Sequence, residues 1–203
     1  TVIFTNLTQD HLDYHGDIQE YGKTKGKIFG LPGIKHIILN IDDAFGKASF
    51  AGLRKQLGAN QDIWLYGLDE TGNSINVVEF SSHVRNLRAT QLKMGVAGNS
   101  FSVELDGQKL GDVATQLIGS FNVSNVLAVL ATLLASGMSF EQAKVKIELL
   151  KPVIGRLEIL RPRSAQMPIA VVDFAHTPDA LEKVLKVLRP LAQSRGGKLW
   201  CLF

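Results

Sequence analysis

Asp10, His11, Asp13 and His15 lie close together just past a strand-like run, Val2-Ile3-Phe4-Thr5. Imidazole nitrogens and carboxylate oxygens are suitable ligands for a divalent cation. In open α/β sheets, ligands bind beyond the C-terminal ends of strands, so the position suits such a site. The same residues also fit a plainer role, with the aspartates capping a short helix and the imidazoles facing solvent. Asn122 and Asn125 stand three apart at the start of a helix-like stretch, hence on one face. An amide offers both a donor and an acceptor, which suits the edge of adenine; Asn122 could equally cap the helix. Arg156 follows Gly155, and a guanidinium fork there suits phosphate oxygens. Asp173 stands at the end of a strong strand-like run, the position where open α/β sheets bind ligands. Gly22-Lys23-Thr24 imitates the end of a phosphate-binding loop. That motif requires a glycine five positions before the Gly of Gly-Lys, and Asp17 stands there.

Positioning these groups requires a sheet. Val2–Thr5, His36–Asn40 and Ile63–Tyr66 read as buried strands; residues 17–29 and about 44–57 read as the intervening helices. This β-α-β-α-β order implies a parallel sheet. Asp42 and Asp43 sit where acids favour a helix start. Residues 74–117 change character: alternation at Ile75-Val77, at Phe101-Val103-Leu105 and at Val113, with Asp106-Gly107 between strands, predicts an antiparallel meander. Helices follow at Asn122–Ser136, with Gly137 after its end, and at Ser139–Leu150, with Ser139 as N-cap. Pro152–Arg156 reads as a hinge. Beyond it lie a strand near Glu158–Leu160, a turn at Pro162–Pro168, a strand Ile169–Phe174, a helix from Pro178 to about Leu188 and a strand Leu199–Phe203.

The bulk composition fits such a protein. The chain has 203 residues, 45% hydrophobic and 20% charged, with a formal charge of +3. Its basic residues are scattered, without the clustered stripe and aromatics of a nucleic-acid surface. The single cysteine, Cys201, excludes an internal disulfide and falls in an apolar run expected to be core. A reducing, cytoplasmic setting fits, and no signal peptide or membrane-spanning run is present. Both ends fall in strand-like runs, which leads us to expect a segment of a longer protein.

The motifs, taken in order, resemble those of the MurE-type Mur ligases. Thr5-Asn6-Leu7 with Asp10-His11-Leu12-Asp13-Tyr14-His15-Gly16 is similar to the family's signature after a central-domain strand. Tyr21 and Lys25 resemble its Tyr-x-x-x-Lys helix, and Asn40-x-Asp42-Asp43 its next strand end. Gly119-Ser120-Phe121-Asn122-Val123-Ser124-Asn125 resembles Gly-x-Phe-Asn-x-x-Asn, and Pro152-Val153-Ile154-Gly155-Arg156-Leu157-Glu158 resembles Pro-Val-x-Gly-Arg-Met-Glu, with Leu for Met. Asp173-Phe174-Ala175-His176-Thr177-Pro178-Asp179-Ala180-Leu181 resembles Asp-Tyr-Ala-His-Thr-Pro-Asp-Ala-Leu, with Phe for Tyr.

The resemblance implies an α/β fold. Residues 1–153 would be the C-terminal part of the central ATP-binding domain, a parallel sheet with helices plus a small antiparallel sheet. Residues 154–203 would begin a Rossmann-like C-terminal ligase domain. It implies His11 as a magnesium ligand and Lys25 as a carboxylated lysine. A neutral amine that adds carbon dioxide changes from a cation into an anion able to hold metal. Asn122 and Asn125 would meet adenine, Arg156 the phosphates and Asp173 the ribose, with His176 nearby. The implied reaction is ATP-dependent, magnesium-assisted addition of meso-diaminopimelate to UDP-MurNAc-L-Ala-D-Glu by a monomeric enzyme of peptidoglycan synthesis. The missing phosphate loop and UDP-binding part imply that the segment alone is inactive. An L-lysine-adding relative, another acid–amino-acid ligase, or a non-catalytic nucleotide-binding module are the alternatives. Gly22 and Gly26, which weaken a helix by about 1 kcal/mol each relative to Ala, have no explanation in the sequence.

Overall fold

The computed structural model describes residues 1–7, 18–56, 58, 60–69, 83–160, 164 and 167–202. Asp10, His11, Asp13, His15, the Ile75–Val77 run, Pro162 and Phe203 lie outside them.

Six strands form one sheet in chain order: β1 (Val2–Phe4), β2 (His36–Asn40), β3 (Asp62–Leu68), β4 (Val84–Gly95), β5 (Gly98–Leu105) and β6 (Gln108–Thr115). β1 to β4 run parallel, whereas β4–β5 and β5–β6 are antiparallel. β2 and β3 are near-continuous apolar runs because both their faces are covered. Ile38, Trp64 and Tyr66 point to one face, packed under α3 (Ser120–Ala135) through Val123, Val126, Leu127 and Leu130. Ile37, Leu39, Ile63 and Leu65 point to the other, with Phe50 of α2 (Ala44–Leu53) and Phe29. The period of two along each strand sorts these side chains. α1 (Ile18–Gly26) precedes a short 3-10 turn at Lys27–Gly30, so the expected helix over 17–29 tightens at its end. α1 also contains Gly22-Lys23-Thr24, which is therefore helix and not a phosphate loop.

β4 is the strand that the periodicity misses. Arg85, Asn86 and Arg88 interrupt its apolar pattern, yet Asn86 and Arg88 are buried. Asp106, at the β5–β6 turn, holds the start of the strand by accepting from Arg85 Nε at 2.5 Å and from the Asn86 amide at 2.7 Å. The turn itself is the expected Asp-Gly pair, with φ of 53° at Asp106 and 79° at Gly107.

α3 ends as expected at Gly137, whose φ is 87°. Its amide bonds to Leu134 O and that of Met138 to Leu133 O, which closes the last turn. α4 (Phe140–Glu148) starts at Ser139 with a complete capping box to Gln142. Beyond it, β7 (Glu158–Leu160) pairs antiparallel with β8 (Ala170–Val172), followed by α5 (Pro178–Ser194). Ile118, Leu157 and Val184 join this second unit to the start of α3.

Three expectations need correction. α5 continues past Leu188 to Ser194, with Pro190 inside it. Leu199–Leu202 is not a strand, because a strand requires a pairing neighbour and none lies beside it among the described residues. Cys201 is consequently exposed and not core, beside Trp200 at 83% and Leu202 at 97% exposure. No helix among the described residues is long and apolar enough to cross a membrane.

α2 approaches the end of β2 closely. A Cβ on Gly46 would overlap the Asn40 carbonyl oxygen, whereas one on Gly52 of the same helix would meet nothing. Gly46→Ala is therefore expected to lower the free energy of unfolding in urea by about 2 kcal/mol or more. Gly52→Ala should be neutral or raise it by up to about 1 kcal/mol.

Candidate functional site

The four parallel strands all end on one edge, where their last backbone groups need partners. Asn40, at the end of β2, supplies several. Its Nδ2 donates to Thr5 O at 2.7 Å and to Ser124 Oγ at 3.4 Å, and its Oδ1 accepts the Asp42 amide at 3.0 Å. Tyr66, opposite it on β3, donates its hydroxyl to Phe4 O at 3.3 Å. Asp42 accepts the Leu68 amide at 2.6 Å. Arg88 of β4 donates to Leu68 O, with Nη1 3.7 Å from Asp42 Oδ1. Gly67 lies between them; a Cβ there would come 2.5 Å from Asp42 Oδ1 and 2.6 Å from Arg88 Nη1.

Burial pushes the Tyr66 hydroxyl well above the usual tyrosine range, and the charges of Asp42 and Asp43 add to this, while a hydrogen bond from Ser124 partly opposes it. The phenol must therefore stay protonated for the edge to hold. Its folded pKa exceeds its unfolded one, so this contribution is complete below the unfolded value of about 10 and declines as pH rises above it. Tyr66→Phe should weaken the loss of stability above pH 10, measured as urea midpoints across an alkaline series; an unchanged slope would refute the assignment.

Lys25 is on α1. Its Nζ donates to Asn6 O, just past β1, at 3.3 Å and lies 4.6 Å from the ring centroid of Tyr21, one helical turn back. The structure also explains Gly22. A Cβ there would stand 2.6 Å from the Phe45 ring and 3.1 Å from Leu7 Cδ2, so the helix can lie against α2 only without a side chain at that position. Gly26 makes only an ordinary approach to the same ring. Of the expected metal pair, Lys25 is described and His11 is not. Among the described residues no three His, Cys, Asp or Glu side chains cluster as metal ligands.

The second group gathers where α3 meets β7, β8 and α5. Asn122 is in the first turn of α3, not at its cap, which is Gly119. Its Nδ2 donates to Ile118 O at 2.9 Å, and its Oδ1 accepts from Asn125 Nδ2 at 3.4 Å, so the two amides do share a face. Ile118 packs with Leu157, whose amide donates to Asp173 Oδ2 at 2.8 Å. Asp173 Oδ1 accepts the Ala175 amide at 2.7 Å. The Arg156 guanidinium is exposed and lies 5.6 Å from the Phe174 ring centroid. A Cβ on Gly155 would overlap that ring, and the Phe174 amide donates to Gly155 O at 2.9 Å. His176 Nδ1 lies 2.9 Å from Phe174 O. A carbonyl can only accept, so Nδ1 carries the proton in this bond, which leaves Nε2 as the second ring nitrogen of an exposed residue.

Sequence reasoning missed Ser124, Tyr66 and Arg88. For Ser124 the available signal is a hydroxyl on the otherwise apolar sheet-facing side of α3.

A parallel sheet with a polar edge, extended by antiparallel strands and leading into a smaller α/β unit, defines an open α/β domain of the kind that binds ligands beyond its strand ends. Residues 1–133 match the model of the Mur ligase middle domain, and the chain belongs to that family. It is 41% identical over 202 residues to the UDP-N-acetylmuramoyl-L-alanyl-D-glutamate–2,6-diaminopimelate ligase of Janthinobacterium sp. (strain Marseille), covering 99% of this chain and 37% of that protein. The enzyme of the same name from Ralstonia nicotianae is 42% identical over 201 residues, with the same coverage. A solved structure of a ligase of this name superposes with a TM-score of 0.68 at 27% identity, over 92% of this chain and 35% of that one. MurF from Acinetobacter baumannii shares the fold, at 0.72 and 19% identity, over 92% and 36%. The chain thus spans about 37% of the length of these curated relatives.

Proposed function

We propose that this chain is the catalytic middle of an ATP-dependent ligase that adds meso-diaminopimelate to UDP-N-acetylmuramoyl-L-alanyl-D-glutamate, acting as a cytoplasmic monomer. Residues 1–153 belong to its central domain and residues 154–203 begin its C-terminal domain. The observation that carries this reading is the continuous path Asn125–Asn122–Ile118–Leu157–Asp173, which joins the motif residues of the two units through direct contacts.

In this reading ATP is a substrate. The muramoyl dipeptide's carboxylate attacks the γ-phosphate, ADP leaves, and the diamino acid's amine attacks the resulting acyl phosphate, releasing phosphate. Asn122 and Asn125 present donors and acceptors to adenine. Asp173 uses one lone pair on each oxygen for backbone amides, which leaves acceptor capacity for two ribose hydroxyls. Arg156 and His176 face the phosphates, where a guanidinium offsets charge gathering on the transferred group. The exposed Val153-Ile154 run before Gly155 serves as the hinge for closure.

Magnesium is part of this reading, with Lys25 the expected ligand that lies among the described residues. Lys25 ends beside a carbonyl oxygen at the sheet edge, and a carboxylated Lys25 would keep one N–H for Asn6 O while gaining two oxygens that share one negative charge. Lys25 in that form, with His11, would hold the ion, which supplies charge neutralisation at the phosphoryl group.

The test is turnover of the full-length ligase. Lys25→Ala and Asn125→Ala should each lower kcat/KM on the order of 100-fold or more, Asn125→Ala with weaker magnesium-dependent ATP binding by calorimetry. Full turnover in both variants would overturn the reading. The 203-residue chain alone should release no phosphate in the same assay; turnover by it would refute the need for the parts that the relatives carry beyond it.

A further inference from the structure

We infer that Asp43 is a positioning residue for Lys25, acting through the peptide between Asn6 and Leu7; the inference rests on the role given to Lys25 above. The Asn6 carbonyl and the Leu7 amide are the two ends of one peptide unit. That unit is planar and trans, so its C=O and N–H point in opposite directions and turn together. On one side Lys25 Nζ donates to Asn6 O at 3.3 Å; on the other the Leu7 amide donates to Asp43 Oδ2 at 2.9 Å. Pinning the N–H pins the oxygen that Lys25 meets.

A second arm runs through the other carboxylate oxygen. Asp43 Oδ1 accepts the amides of Phe45 at 2.9 Å and Gly46 at 3.1 Å, which fixes the first turn of α2. The Phe45 ring is the surface against which Gly22 of α1 lies, and the Leu7 side chain is its neighbour there. The helix carrying Lys25 therefore rests on two residues, Leu7 and Phe45, whose backbone amides both end on Asp43. An ordinary helix cap needs only Oδ1. The reach of Oδ2 to Leu7, distant in sequence, is what an N-cap role leaves unexplained. Ionised acceptors make the stronger hydrogen bonds, which suits a joint that must hold a peptide just past the exit of β1.

Asp43→Asn separates the two arms. Asn caps helices as well as Asp does, so its Oδ1 can keep the Phe45 and Gly46 amides. Its NH2 group, turned to Leu7, cannot accept an N–H. In the 203-residue chain the circular dichroism spectrum should stay at wild type, while hydrogen exchange at the Leu7 amide accelerates at least 10-fold and the Lys25 side-chain NMR signals shift. In the full-length ligase kcat should fall about 10-fold or more, with KM for ATP within twofold, because the adenine and ribose contacts lie elsewhere. A Leu7 amide and Lys25 signals unchanged from wild type would overturn the proposal, as would a fall confined to KM. Should Asp43→Asn not fold, Asp43→Ser, whose hydroxyl caps α2 but falls short of Leu7, takes the same measurements with the same two outcomes. Lack of turnover by the unmutated ligase would count against the proposed function only; the Leu7 and Lys25 signals decide the part played by Asp43 in either case.

Discussion

Parallel strands deliver their last carbonyl and amide groups to one edge, and there the regular ladder ends. Buried backbone groups left without partners cost about as much as a lost hydrogen bond each, so side chains have to take over where the ladder stops. In this protein they are Asn40, Asp42, Asp43 and Tyr66, which between them bond to Phe4, Thr5, Leu7 and Leu68 across neighbouring strand ends. The edge that would otherwise fray is thereby braced across the ends of β1, β2 and β3. It is also the place where open α/β folds bind ligands. The same hydrogen bonds that complete the fold make a fixed platform for Lys25.

Ser124 extends that brace to the nucleotide side of the proposed site. Its hydroxyl accepts from Asn40 Nδ2 at 3.4 Å, and the next residue on α3 is Asn125. The helix is held to the sheet mainly by apolar burial, each aliphatic side chain contributing about 1.5–3 kcal/mol, but burial does not fix its position along its own axis. A directional bond does. The two groups of motif residues thus share one frame: the sheet edge sets Lys25, and Ser124 registers α3 against that edge.

The second unit is attached more lightly. Its buried seam is Ile118, Leu157 and Val184 with a few half-buried neighbours, and the chain enters it through exposed Val153 and Ile154. Within the unit, however, Asp173, Phe174 and Gly155 are tightly clasped. A firm local clasp on a light seam would suit the closure proposed above, with Arg156 and Asp173 carried together.

The sequence alone determined the alternation of strands and helices up to β3, because buried parallel strands are continuous apolar runs, and it marked the helix starts after Asp43 and Ser139, because polar residues at a helix start depend only on neighbours. It also set the Asp106-Gly107 turn and the end of α3 at Gly137, where local backbone conformation dictates the residue. The ordered motifs identified the family for the same reason: each is a short local pattern. Tertiary structure decided the rest. β4 is a strand because it pairs with β3 on one side and β5 on the other, with Asp106 bonded to Arg85 and Asp42 near Arg88, and no local pattern announces that. Leu199–Leu202 has the composition of a strand but no neighbour to pair with, so Cys201 is exposed. Gly22 looked like a weakness in a helix until Phe45, distant in sequence, was seen to occupy the space its side chain would need. Asp43 is legible as a helix cap; that its second oxygen reaches Leu7 follows only from the packing of β1 against β2, since hydrogen bonds between distant segments exist only once the chain has folded.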